Sequence, residues 1–114
     1  MPDQDWVQLA QVRPTDTANL LLFVPVRGHR YRCKVIVANV DGSASTYRVF
    51  HDDDGTTYSE ATALAWDRSC GAGIVDEIPE TGEIYMDNAA GAIAVRSSTG
   101  SALTFTLYGI REKK

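Results

Sequence analysis

The amino-acid sequence predicts an all-β fold: a single antiparallel β-sandwich of about eight or nine strands, jelly-roll-like or immunoglobulin-like. Three observations predict it. Apolar residues alternate with polar ones in several separate stretches, turn signals divide those stretches every roughly 8–15 residues, and no stretch sustains the i, i+3, i+4 spacing of an amphipathic helix. The chain has 114 residues, the length of one domain with a core that needs neither metal nor disulfide. The domain is therefore expected to span residues 1–114.

In chain order, the opening MPDQDW is acidic and lacks the positive region and apolar stretch of a secretory signal. Residues 1–6 are expected to be loose. The longest apolar run, Leu20 to Val26, has seven residues, against the ~20 that cross a bilayer as a helix. Pro25 belongs near a strand end, because a proline within a central strand removes a ladder hydrogen bond. In YRCKVIVAN, Tyr31, Cys33, Val35 and Val37 fall on one face, with Arg32, Lys34 and Ile36 on the other. The same alternation places Tyr47 and Val49 together in STYRVF, Ile84 and Met86 in GEIYM, and Ile93 and Val95 in GAIAV. It is cleanest in LTFTLYG, where Leu103, Phe105 and Leu107 alternate with Thr104 and Thr106, the signature of a strand with one wet face. VDGSAS, DDDG, CGAG, PETG, NAAG and STGS supply the turns. EATALAW favours helix by its residue types and is expected to form at most a short helical turn. The tail IREKK is expected to be a frayed, solvated end over residues 111–114.

Composition narrows the function classes. Apolar residues make up 44% and charged residues 23%, as in an ordinary soluble globular domain. The formal net charge is −4, which argues against general nucleic-acid binding through phosphates. The charge is unevenly spread. RGHRYRCK carries Arg27, Arg30, Arg32 and Lys34, whereas DEIPETGEIYMD carries Asp76, Glu77, Glu80, Glu83 and Asp87. These stretches read either as two solvated strand faces or as self-complementary subunit contacts in which opposite patches set register.

The cluster VFHDDDGTTYS sets one of the two histidines, His51, before Asp52, Asp53, Asp54 and Gly55. Calcium wants six to eight converging oxygens, and the EF-hand spacing of alternating acids is not met by contiguous ones. The turn reading is favoured: Asp54-Gly55 suits a type I′ hairpin, and all four residues form an exposed acidic turn. His29 and His51 stand apart from any metal set, so no metal and no cofactor is expected. Cys33 and Cys70 lie in no zinc spacing. Cys33 falls mid-strand on the apolar face and Cys70 in an exposed loop. They read as two free thiols, an intrachain disulfide or an intersubunit disulfide. No GxSxG elbow or dinucleotide loop is present, and no catalytic residue is assigned. Trp6, Trp66 and Tyr58 suit core packing or sugar stacking.

Two stretches carry a family resemblance. LLLFVPVRGHRYRCKVIVANVDGSASTYRVF and GAIAVRSSTGSALTFTLYGI resemble segments of small virion structural proteins of tailed bacteriophages. TALAWD, AG and the acidic strand between them resemble that family's middle, so the likeness spans roughly residues 20 to 110. Arg27 replaces the family's small residue before the first glycine, and Cys33 and Cys70 lie outside the pattern. The resemblance implies a β-sandwich displayed on a virion, made in the host cytoplasm, often a homo-oligomer with a trimer favoured. Its partners would be itself and a major capsid or other virion protein, with no membrane contact. Capsid decoration, stabilising the head by bridging capsid subunits, is the function expected. The rivals are a tail- or fibre-associated receptor or carbohydrate-binding module, which needs Trp6, Trp66 or a tyrosine exposed, and a small enzyme using His51 with Asp52 or Asp54.

Overall fold

Nine strands build two antiparallel sheets that pack face to face in the structure, a computed structural model that describes residues 6–114. The strands are β1 (Val7–Val12), β2 (Leu20–Phe23), β3 (His29–Asn39), β4 (Ser45–Asp52), β5 (Ala63–Cys70), β6 (Val75–Ile78), β7 (Ile84–Met86), β8 (Ala92–Ser97) and β9 (Leu103–Lys113). The first sheet runs β1-β9-β3-β6, with β7 pairing beside β6 on the same edge of β3; the second runs β2-β8-β4-β5. β6 covers Val35 to Ala38 of β3, and β7 covers Tyr31 to Cys33, so the two short strands act as one.

Counted that way, the chain pairs first with last and works inward: β1 with β9, β2 with β8, β3 with β6 and β7, β4 with β5. A long antiparallel ribbon has folded over itself, and the contacts β3·β9 and β4·β8 join its turns into sheets. That order is the jelly roll, which decides between the two topologies left open by the sequence.

The alternating residues face the core as expected. Tyr31, Cys33, Val35, Val37, Tyr47, Val49, Ile84, Met86, Ile93, Val95, Leu103, Phe105 and Leu107 all belong to one buried cluster between the sheets. Edge-to-face ring contacts, Tyr47 with Phe105 at 6.1 Å and Phe23 with Tyr31 at 5.0 Å, add to its packing. Thr106 faces outward but is covered, because Gln11 of β1 donates a 2.8 Å hydrogen bond to its hydroxyl.

Several expectations need correction. The tail is not frayed: His29 of β3 pairs with Lys113 and the Lys114 amide donates to the Gly28 carbonyl. Residues 1–5 lie outside the described residues, and Trp6 is exposed. EATALAW does form the expected short turn, a 3₁₀ turn at Glu60–Thr62 capped by Ser59, and then enters β5. The cysteines are free, and both are fully buried, so the intrachain disulfide does not form. Cys70 is not in an exposed loop but ends β5.

Candidate functional site

The outer face of the second sheet carries the most heavily constructed cluster of polar groups. Tyr47 of β4 pairs with Arg68 of β5 and Val49 with Ala65, so Arg48 alone opposes both Trp66 and Asp67. Two residues against one is a β-bulge, a device that re-aims side chains. Asp67 sits at φ +51, a left-handed conformation that aspartate tolerates better than most residues. The bulge brings both side chains to one guanidinium. Arg48 donates from Nε at 2.6 Å and from Nη2 at 3.0 Å to the Asp67 carboxylate, and its guanidinium carbon lies 3.6 Å from the centre of the Trp66 ring. The paired arginine holds the Asp67 carboxyl below its usual range, and Asp67 in turn raises the Arg48 pKa.

Arg48 also faces a like charge. Its cross-strand partner on β8 is Arg96, and like charges directly opposite on a sheet are destabilising. Arg96 donates from Nε to the Thr17 carbonyl at 2.8 Å and joins no ion pair among the described residues. Thr46, Tyr47, Arg48, Asp67, Arg96 and Ser98 enclose a notch of about 60 Å³. Among the residues that line the notch, two cations and one carboxylate leave one positive charge in excess, while Glu60 acts on Arg48 from outside it.

The aspartate cluster proves to be structural support for this face. Asp52 is buried, which removes it from the expected exposed turn; Asp53 and Asp54 are exposed and Gly55 is half-buried. The Asp52 carboxylate accepts from the amides of Thr57 at 2.8 Å and Asp54 at 3.2 Å, and those backbone bonds lower its pKa. No two-residue hairpin forms, since Gly55 lacks a positive φ and β5 resumes only at Ala63. The connection folds over the sheet instead, setting Tyr58 against Phe50 at 5.9 Å while Trp66 packs edge-on to Phe50 at 6.1 Å. That explains why outward-facing Phe50 is 1% exposed. Gly91 of the turn that leads into β8 is required here, because a Cβ would stand 2.6 Å from the Asp53 carbonyl oxygen.

Other sequence-selected residues separate from this site. His51 is half-buried, 4.0 Å from Asp53 rather than from Asp52 or Asp54. Burial lowers its pKa against the opposing pull of Asp53 and Asp52. No group of three or more metal-ligating side chains stands together among the described residues.

The two charged stretches meet within one chain. Lys34 pairs with Glu77 at 3.3 Å, Arg32 with Glu83 at 3.9 Å, and Arg68 of β5 with both Asp76 and Glu80. Arg30 lies 3.5 Å from the Tyr85 hydroxyl, while Arg27 lines a separate surface hollow with Asp87 and Lys114. On the outer face of the first sheet, Trp6, Lys34, Ile36, Glu77 and Tyr108 line a shallow groove of about 350 Å³.

Sequence reasoning selected Trp66 but missed Arg48, Asp67 and Arg96. The one available signal was the placement of the arginines at outward positions of strands whose alternate residues are apolar. No known protein-family model matches the chain, and no curated protein matches its sequence.

Proposed function

We propose that this chain is a bacteriophage virion structural protein, a capsid decoration protein that stabilises the head by bridging capsid subunits. The observation that carries the reading is the outer face of the first sheet. Trp6 is 43% exposed and Val75 61% exposed, and Tyr108 stands beside Ile36 on the same face. Aromatic and aliphatic side chains grouped in this way mark surfaces that partners cover. The jelly roll supports the reading from the side of architecture, being a frequent scaffold of capsid proteins, and the resemblance over residues 20 to 110 supports it from the sequence.

The role needs a rigid plate rather than chemistry. Every strand of both sheets is hydrogen-bonded to a neighbour on at least one side, so a load applied at one face passes through ladders rather than loops. Self-association, with a trimer favoured, would multiply the contacts each copy makes with the shell.

Co-sedimentation of purified protein with undecorated capsids tests the proposal. Saturable binding is expected, weakened by Trp6→Ala and Tyr108→Ala. A protein that stays monomeric in light scattering and never sediments with particles overturns it.

A receptor- or carbohydrate-binding module on a tail or fibre is the second reading, favoured by the 43% and 42% exposure of Trp6 and Trp66. The Arg48 guanidinium already covers the Trp66 ring, which leaves Trp6 as the freer stacking platform. Glycan-array binding lost in Trp6→Ala would favour this reading over decoration.

A further inference from the structure

We propose that the notch between Arg48 and Arg96 receives the carboxylate of an acidic side chain on a protein partner. Four observations meet there. First, the two arginines are directly opposed on neighbouring strands, an arrangement that destabilises an isolated sheet. Among the described residues only Arg48 forms a close ion pair, with Asp67, and Arg96 acts on that same carboxylate from longer range. Second, donors remain. Arg48 donates through Nε and Nη2 and Arg96 through Nε alone, so among the described residues Nη1 of Arg48 and both terminal nitrogens of Arg96 have no acceptor.

Third, the charge count selects the ligand class. One positive charge in excess balances a monoanionic carboxylate, whereas a dianionic phosphate would also meet the Asp67 carboxylate that lines the notch. The volume of about 60 Å³ holds a few waters, which is the scale of a carboxylate head group and not of a whole sugar ring. Fourth, the site is held ready. Arg48 is fixed between a bidentate carboxylate and an aromatic ring, so little side-chain freedom is lost when it binds.

A protein side chain fits better than an acidic sugar. The Trp66 face on which a pyranose would stack is already taken by the Arg48 guanidinium. Exposed Trp66 stands against the Arg48 guanidinium beside the notch, and tryptophan and arginine are the residue types that dominate protein–protein contacts. The inference goes beyond capsid decoration, since it assigns a ligand chemistry to a different sheet and is measured on the isolated protein.

The experiment is a nuclear magnetic resonance titration of isotope-labelled full-length protein with N-acetyl-glutamate amide, following the Arg48 and Arg96 Nε–H and Trp66 indole N–H signals. Saturable shifts are expected, absent with the N-acetyl-glutamine amide control and suppressed by high salt. Arg96→Gln should weaken binding about tenfold, the scale of one charge-assisted hydrogen-bonding partner. Arg96→Lys, the milder change, should retain part of the affinity. Equal shifts from the glutamine control, or unchanged affinity in both Arg96 variants, overturn the proposal. So does D-glucuronate saturating at lower concentration than the glutamate derivative, which would assign the notch to an acidic sugar instead.

Discussion

Lys34 on β3 and Glu77 on β6 form an ion pair with 3.3 Å between Nζ and Oε1. The pair joins the basic and acidic stretches of the sequence across a single sheet edge. Complementary charge that reads along the sequence as a means of joining two subunits thus already has an internal use: it seats β6 and β7 along β3. Exposed pairs of this kind contribute little to stability. Glu77→Gln is expected to lower unfolding free energy by less than about 1 kcal/mol in urea titrations. A larger loss would mean that the pair does more than align the edge.

His51 predicts a pH dependence. Its folded-state pKa lies below the ordinary value of 6.5 because burial disfavours the charged ring. In the interval between the two values the unfolded chain binds more protons, so stability falls as pH drops from about 6.5 towards the lowered value and levels off below it. Denaturation series at closely spaced pH should show that slope, and His51→Gln should remove it. Asp52 acts in a lower window. Its folded pKa is depressed, so its stabilising contribution is complete above the usual carboxylate value and is lost as pH falls through the depressed one. Asp52→Ala should flatten that second, more acid slope.

The thiols should be unreactive in the folded protein. Burial pushes Cys33 up to about 12 and raises Cys70, and the thiolate is the reactive species. Cys33 donates to the Ile84 carbonyl and Cys70 to the Ile74 carbonyl, each at 3.4 Å. A thiol reagent is expected to label neither until denaturant is added, and a reducing agent should leave oligomeric state and melting temperature unchanged. Fast labelling of Cys70 under native conditions would contradict its burial.

Gly109 should tolerate no side chain. A Cβ there would lie 2.6 Å from the Arg32 carbonyl oxygen, 2.7 Å from the Cys33 Cβ and 2.9 Å from a Leu9 methyl. The Leu9 methyl of β1 can turn aside, but the Arg32 carbonyl and the Cys33 Cβ are fixed to the β3 backbone, so the strain there has no flexible end to relax into. Gly109→Ala is expected to destabilise by about 1–3 kcal/mol or more. Gly42→Ala, at a position with open space and no positive φ, is the control and should be close to neutral.

How much of this was legible in the sequence depended on whether a local rule held unbroken. β3 and β9 alternate without interruption, and their core residues were identified one by one because period two projects directly onto the two faces of a strand. β1 was not recognised. Its pairing shifts register between Gln8 and Ala10, so Val7, Leu9 and Val12 lose the even spacing that alternation requires. β5 was obscured for the same reason, its ladder with β4 shifting twice beneath residue types that favour helix.

The candidate site was illegible for a related cause. Asp67 and Arg48 are nineteen positions apart, and Arg96 is on a third strand. Only the bulge opposite Arg48 and the pairing of β4 between β5 and β8 bring them together. The sequence by itself determined the strands with intact alternation and the core residues they carry, because those follow from local backbone preference and side-chain polarity. Tertiary structure decided the wrapping order of the ribbon, the burial of Asp52, Phe50 and Cys70, and the partners of every charge. These depend on which distant strands share an edge, and hydrogen bonding between backbones carries no residue code to announce it.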